Sequence, residues 1–340
     1  MITIGVIGCG HWGPNHIRIF NHLPSSSVKI CADMSEDRLQ AVALLYPQVQ
    51  RTKHYQEILK DPEIDAVCIS TPTDTHFQLT KEALEAGKHV LCEKPLALRP
   101  EECLQLQVLA EKKKKMLMVG HIFLFNLGIA RLKEYIEAGQ LGRIHYAHSS
   151  RTNLGPFRYD VNALWDLAPH DISIFNYLLG SAPLNVSARG VRCLGTSLED
   201  LAFVSLEYPN QILVNLHVSW LDPKKNRQIT IVGDQKMVTW DDLDNEGPIK
   251  LYDKHVEKGS RFYENYGEFQ LLSREGSITI PHMAFHEPLK LQGQYFLECI
   301  FQNRHPEKCD AQKAYDVVRT LQAAQESMQK NGAPVEVKQR

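Results

Sequence analysis

Several protein classes are excluded by what this chain lacks. Its eight cysteines (Cys9, Cys31, Cys68, Cys92, Cys103, Cys193, Cys299 and Cys309) form no CxxC pair. That scatter speaks against a disulfide framework and suits a reducing cytosol. Cys9, Cys31, Cys68 and Cys92 lie in or beside apolar strand-like runs, where a free thiol acts as a small hydrophobe. No apolar stretch reaches the roughly 18 residues of a spanning helix. The N-terminus has no basic region followed by a long apolar core, so no secretory signal is expected. The chain reads as soluble and cytoplasmic, with no membrane partner. Charge is balanced, with 38 Lys and Arg against 40 Asp and Glu and a net −2, so no nucleic-acid partner is expected. The run Lys112-Lys113-Lys114-Lys115 is the one dense basic patch, and it reads as a solvated helix end, where cations complement the dipole. His121, His145, His148, His170 and His217 show no compact ligand spacing such as HExxH, so no metal site is expected. There is no internal repeat and no low-complexity tract.

What is present is an ordinary globular composition, 43% hydrophobic and 23% charged, over 340 residues. That length allows two domains. The most informative stretch is Gly8-Cys9-Gly10-His11-Trp12-Gly13. It follows the apolar run from Ile2 to Ile7 and precedes a helical segment from Asn15 to Leu23. Strand, glycine turn and helix form the context of a dinucleotide fingerprint. The first glycine permits the tight turn, the second lets a pyrophosphate approach the backbone, and the third lets helix and strand pack closely. The helix N-terminus offers free N–H groups to phosphate. A second apolar run, Ser27 to Ala32, ends at Asp33, twenty residues beyond Gly13. A carboxylate at that distance accepts from adenosine ribose hydroxyls and repels a 2′-phosphate, and the next residue, Met34, brings no positive charge. The cofactor expected is NAD. The plainer alternative for Asp33 is a cap on the helix that opens near Ser35-Glu36.

The first third alternates strand and helix patterns. Strand candidates are Ala66–Ser70, His89–Cys92 and Met116–Gly120; helical segments are Ser35–Tyr46, Tyr55–Lys60, Thr75–Ala86 and Pro100–Lys114. This βαβ rhythm predicts a doubly wound parallel sheet covered on both faces, an α/β Rossmann domain over residues 1–122. Past Gly120 the rhythm changes. Leu127–Ala138 and Val161–Leu179 read as helices, with a strand at Arg143–His148 between them. Strand patterns dominate from Leu184 to about Ile280, including a hairpin of Leu201–Tyr208 and Gln211–Val218 about Pro209-Asn210. Helices return at Pro288–Gln302 and Ala311–Gln329. Residues 123–340 are therefore expected to form a mostly antiparallel α+β domain. The boundary is expected near 121–125, with the last helix packing on either domain.

Ligands of open α/β sheets bind beyond the carboxyl ends of the strands. Three segments qualify as chemistry-bearing. Ser70-Thr71-Pro72-Thr73-Asp74-Thr75-His76 supplies hydroxyls and backbone, with Asp74 as a helix N-cap in the plainer reading. Cys92-Glu93-Lys94-Pro95 delivers a Glu and a Lys from a strand end. A lysine at a buried cleft edge can donate to a substrate hydroxyl. Asp166 and His170 are spaced i, i+4 and share a helix face, where a carboxylate favours charged imidazole. Pro169 offers the alternative that the helix is disturbed there.

Together, the glycine turn, the Glu93-Lys94-Pro95 triplet, Gly120-His121 and the Asp166…His170 pair resemble the glucose–fructose oxidoreductase/inositol dehydrogenase (Gfo/Idh/MocA) family over almost the whole chain. The resemblance implies a Rossmann domain followed by a large, open-faced, mostly antiparallel sheet that joins subunits into homodimers or homotetramers. It implies NAD held by Gly8, Gly10, His11, Trp12, Gly13, Asp33, Thr71, Thr73, His76, Glu93 and Lys94. Lys94, Asp166 and His170 carry over as the catalytic set. The segment from Arg151 to Arg158, leading into Asn162–Asp166, is similar to the branch that oxidises C3 of UDP-N-acetyl sugars, the UDP-N-acetylglucosamine 3-dehydrogenases and related uronate enzymes. That implies a nucleotide-sugar substrate met by Lys94, Arg151, Asn153, Arg158, Asn162, Asp166 and His170, and a 3-keto product that feeds a transaminase. His170 is expected as base, with Lys94 donating to the substrate oxygen and Asp166 positioning the imidazole; exchange of the first two roles stays open. Arg158 or Arg151 is expected to hold the diphosphate, the alternative for either being a surface ion pair. Competing expectations are a dehydrogenase of the uronate, a free sugar or inositol on the same fold, and an NAD-binding regulator without turnover.

Overall fold

A computed structural model of the chain describes residues 1–256, 273–274 and 276–338. Residues 257–272 and 275, inside the stretch expected to be rich in strands, lie outside the described residues, as do 339–340. The chain divides into two units, residues 1–125 with 286–322, and residues 126–285 with 323–340.

Unit 1 contains a six-stranded sheet of β1 (Ile2–Ile7), β2 (Ser26–Ala32), β3 (Gln50–Thr52), β4 (Ala66–Ile69), β5 (His89–Cys92) and β6 (Leu117–Val119). The order is β3-β2-β1-β4-β5-β6 and every pairing is parallel. Val6, Val67 and Val90 are fully buried, as expected of strands covered on both faces. The crossovers carry α1 (Gly13–His22), α2 (Glu36–Leu45), α3 (Tyr55–Lys60), α4 (His76–Glu85) and α5 (Pro100–Lys113). The sheet order reverses between β2 and β4 around β1, so the Gly8–Gly13 turn leaves the strand at the switch point where such sheets bind ligands. Sequence periodicity located β4, β5 and β6 but not β3, which has three residues, none of them buried.

The helix Pro288–Gln302 also belongs to unit 1, which corrects the single boundary expected near 121–125. Its apolar face lies on α1. The Phe20 and Phe296 rings meet edge-on at 6.3 Å, and a Cβ at Gly293 would stand 3.0 Å from Ile19. A chain that leaves unit 1 after Phe125 therefore returns to it to cover α1.

Unit 2 contains a nine-stranded sheet among its described residues. Its members are β7 (Ile144–Leu154), β8 (Asn185–Val191), β9 (Leu201–Tyr208), β10 (Ile212–Ser219), β11 (Leu221–Gly233), β12 (Met237–Asp241), β13 (Ile249–Tyr252), β16 (Ile278–Thr279) and β17 (Val335–Glu336). A separate ribbon pairs β14 (His255–Val256) with β15 (Ser273–Arg274). The sheet order is β16-β13-β12-β11-β7-β10-β9-β8-β17, antiparallel except where β7 meets β10. α6 (Leu127–Glu137) lies beside α7 (Ala163–Leu179), and α7 packs on one face, over Val204, Leu206, Val214 and Leu216. The strands alternate, so the other face carries Tyr146, Phe203 and Leu213, 44%, 55% and 43% exposed. Asn210 and Gln211 take φ of 61° and 62° in the β9–β10 turn, where the hairpin was expected. β7 runs to Leu154 rather than ending at His148, so Arg151 and Asn153 are strand residues.

Candidate active site

Beyond β1 the chain turns through Gly8, whose φ of +94° suits glycine, and where a Cβ would lie 2.7 Å from the Ser70 carbonyl. At Gly13 a Cβ would stand 2.1 Å from the Gly8 carbonyl oxygen, so α1 can start against the turn only without a side chain. A Cβ at Gly10 would meet no protein atom within 4 Å. Packing inside the protein does not demand that glycine, but close approach of a ligand to the backbone does. No side chain caps α1; Pro14 has no N–H and His16 donates to the Trp12 carbonyl, so the Gly13 and Asn15 N–H groups are those that face a phosphate. His11 is exposed, and its ring meets Trp12 edge-on at 5.4 Å.

Asp33 follows β2. Its Oδ2 accepts from the Cys9 N–H at 2.7 Å and its Oδ1 from the Ser35 N–H at 2.8 Å. The residue that caps α2 is Ser35, which accepts from the Arg38 N–H, and this corrects the reading of Asp33 as the cap. Asp33 instead ties the glycine turn to the end of β2 and keeps lone pairs for a ribose. A cation does stand nearby: an Arg38 nitrogen lies 3.5 Å from Oδ2.

After β4, the Ser70 hydroxyl donates to the Gly8 carbonyl at 2.8 Å and the Thr71 and Thr75 hydroxyls meet at 2.6 Å. Thr73 is buried in a short 3-10 turn, Thr73–Thr75. α4 begins at His76 with Thr75 as its cap residue, so Asp74 is not the N-cap expected. His76 is 1% exposed and both its ring nitrogens face backbone carbonyls, which removes it from direct contact with a cofactor.

After β5, Glu93 and Lys94 are 9% and 8% exposed, and the Lys94–Pro95 peptide is cis. The Glu93 carboxylate accepts from His16 of α1 at 2.9 Å. It also lies against Gly120, where a Cβ would be 3.0 Å from Oε2. Burial favours the neutral acid, but the His16 hydrogen bond and the charges of His16, Lys94 and His76 hold Glu93 below the usual carboxylate range. Glu93 thus anchors the loop that presents Lys94. His121 is pushed down to about 4, by burial first and the Lys94 charge second, so it is neutral. The open backbone at Gly10, the uncapped α1 and the Asp33 carboxylate fit a dinucleotide.

In unit 2, α7 opens at Asn162, whose Oδ1 accepts from the Trp165 N–H at 3.1 Å and whose Nδ2 donates to Glu199 and Gln325. Asn162 is 4% exposed, so the structure replaces its expected substrate role with a capping one. The helix is continuous through Pro169. Asp166 and His170 share a half-buried face one turn apart. Asp166 accepts from Arg158 at 3.1 Å on Oδ1 and from the Trp220 indole at 3.2 Å on Oδ2. Arg158 also binds Asp160. Asn153, at the end of β7, donates to the Gly155 carbonyl two residues on.

Arg151 is corrected. Its guanidinium forms a two-pronged pair with Asp171 of α7, at 2.7 and 3.1 Å, with side chains 4% and 2% exposed. A group so enclosed fastens α7 to β7 beside His170 and is not available to a diphosphate. Sequence reasoning missed His16, Asp171 and Trp220. Their spacing from their partners follows no local period, and only the fold brings them together.

Comparison with known proteins places these features. The model for the GFO/IDH/MocA oxidoreductase family, NAD-binding Rossmann fold, matches residues 2–121, and that for the GFO/IDH/MocA C-terminal domain matches 129–239. An uncharacterized oxidoreductase of Bacillus subtilis is 30% identical over 219 residues, 62% of this chain and 64% of the relative. Inositol 2-dehydrogenase 2 of Saccharopolyspora erythraea is 32% identical over 225 residues, 64% of this chain and 66% of that protein. The match thus spans a little under two thirds of these two relatives. UDP-N-acetylglucosamine 3-dehydrogenase of Acidithiobacillus ferrooxidans is 29% identical over 244 residues, 71% of this chain and 74% of that one. Its solved structure superposes with a TM-score of 0.79 at 26% identity, covering 96% of this chain and 99% of the other.

Arg151→Ala leaves Asp171 buried and without its guanidinium. The expected cost to unit 2 is about 3–5 kcal/mol, read by urea unfolding. A variant of unchanged stability with weakened substrate binding would return Arg151 to a ligand role.

Proposed function

The chain belongs to the GFO/IDH/MocA oxidoreductase family, and from that premise we propose that it oxidises a ring hydroxyl of a sugar with NAD, the preferred substrate being UDP-N-acetylglucosamine at C3. The observation that carries the reading is Lys94. A lysine only 8% exposed stands at the carboxyl end of β5, on the same sheet edge as the Gly8–Gly13 turn. Burying an ammonium is costly, and such groups concentrate at functional sites.

NAD, when bound, supplies the ring carbon that accepts a hydride. Lys94 donates a hydrogen bond to the substrate oxygen. His170 takes the hydroxyl proton. Asp166, fixed by Arg158 and Trp220, holds a negative charge one helical turn from His170 and favours the imidazolium that results. Arg158 is the guanidinium for the diphosphate, with its side chain 30% exposed. The UDP-N-acetylglucosamine 3-dehydrogenase relative supports a nucleotide sugar, and the inositol dehydrogenase relative makes a cyclitol the competing substrate. We further propose that the face bearing Tyr146, Phe203 and Leu213 pairs subunits, a second copy covering these exposed apolar side chains among the polar ones between them.

NADH formation on UDP-N-acetylglucosamine, its uronate, free N-acetylglucosamine and myo-inositol separates the substrates. The highest kcat/KM is expected on the UDP-sugar, and turnover confined to myo-inositol overturns the nucleotide-sugar reading. His170→Asn is expected to lower kcat about 100- to 10,000-fold with NAD affinity kept. Near-normal turnover in the folded variant removes the base assignment. For Lys94→Ala a rise in KM alone would reduce Lys94 to a binding group. By light scattering the protein is expected as a dimer or tetramer that Phe203→Glu dissociates, whereas a monomeric wild type ends that proposal.

A further inference from the structure

His76 opens α4, and its ring is enclosed. Nδ1 lies 2.7 Å from the Pro95 carbonyl oxygen and Nε2 lies 2.9 Å from the Thr71 carbonyl oxygen. A backbone carbonyl oxygen can only accept. A neutral imidazole has one N–H and one lone pair, so either tautomer would set a lone pair against a carbonyl oxygen. Only the doubly protonated ring satisfies both contacts. We propose that His76 is a positioning residue, a buried imidazolium that ties the loop after β4 to the loop after β5 and so fixes the Thr71–Thr73 turn and Lys94 for the cofactor.

The surroundings support a cation. Glu93, at the end of β5, is held ionised in part by the charge of His76. The Cys92 side chain of β5 faces the ring, and the Cys103 side chain of α5 stands near Cys92. Burial is the largest single influence and opposes the charge. A negative charge at Cys92, a hydrogen bond with that side chain, and the Pro95 and Thr71 carbonyls outweigh it and raise His76 to about 9 from an ordinary 6.5. A raised value means that the clamp contributes fully below about 6.5 and is lost as pH climbs through about 9. The two carbonyls belong to different strand ends, so losing one bond frees one loop from the other. An ordinary buried histidine would make one bond and leave the loops independent.

The inference rests on the reading of Thr71 and Lys94 as cofactor-facing, but its first test does not. In protein labelled with 15N-histidine, the His76 signals are assigned by their loss in His76→Gln. Both ring nitrogens are expected to be protonated at neutral pH, with a titration near 9. A neutral ring at neutral pH overturns the proposal, whatever the enzyme's substrate. The second test is NAD affinity by calorimetry. His76→Gln can donate to one carbonyl only, so a dissociation constant at least about tenfold weaker is expected, with the alkaline weakening of the wild type abolished. Unchanged affinity in a folded variant overturns the positioning role. If His76→Gln does not fold, the wild type decides alone: its NAD affinity weakens through about pH 9, or the clamp is not what holds the loops.

Discussion

One buried carboxylate governs the nucleotide edge of unit 1. Glu93 has a side chain 11% exposed, takes a hydrogen bond from His16 of α1 and rests on the bare backbone of Gly120 after β6. The charges of Lys94 and His76 both help to hold it ionised. A buried ammonium and a buried imidazolium repel each other, and neither is sustainable at low dielectric without a counter-ion. Glu93 therefore does more than carry a recognisable triplet. It lets two cations stand within one loop system, and it links three elements of the sheet edge (α1, β5 and β6) through one side chain. Placing the acid immediately before Lys94 makes the charge balance local. Any displacement of the loop moves both partners together.

Unit 2 solves a different problem. Its candidate residues sit on a helix, and a helix can slide or rotate on the sheet beneath it. Two ion pairs act on α7, and they act differently. Arg151–Asp171 is enclosed and two-pronged, so it fixes the register of α7 on β7. Arg158–Asp166 is partly exposed and is backed by the Trp220 indole, so it sets one carboxylate while leaving a guanidinium edge toward solvent. Buried pairs are costly to assemble but costlier to break from one side, which makes them suited to specifying position. The residue between them in sequence, His170, inherits its placement from both.

The elements were legible because their periods are local. The glycine turn, the short apolar strands and the helices Pro288–Gln302 and Ala311–Gln329 are found where the sequence puts them. β3 was not legible, since three residues without a buried position carry no alternation. Among site residues, type proved a poor guide to use. Arg151, Asn162 and His76 have chemistry suited to ligands, yet each is spent on structure, as a helix fastener, a helix cap and a loop clamp. For Arg151 and His76 the choice is made by partners 20 and 19 residues away (Asp171 and Pro95), at distances no periodic pattern encodes, whereas Asn162 caps through Trp165, three residues on.

Asp33 shows how the same limit affects cofactor choice. From sequence, a carboxylate at the end of β2 and an uncharged Met34 argue for NAD. The structure adds Arg38, which the first turn of α2 brings to 3.5 Å from that carboxylate. Its charge reduces the repulsion of a 2′-phosphate, so what matters is which group is better fixed. Asp33 is held by two backbone amides and its side chain is 7% exposed, whereas that of Arg38 is 57% exposed. A cation left in solvent at 3.5 Å adds only about 0–1 kcal/mol, while a carboxylate pinned at the ribose cannot retreat from a phosphate. Arg38 therefore softens the preference for NAD without reversing it.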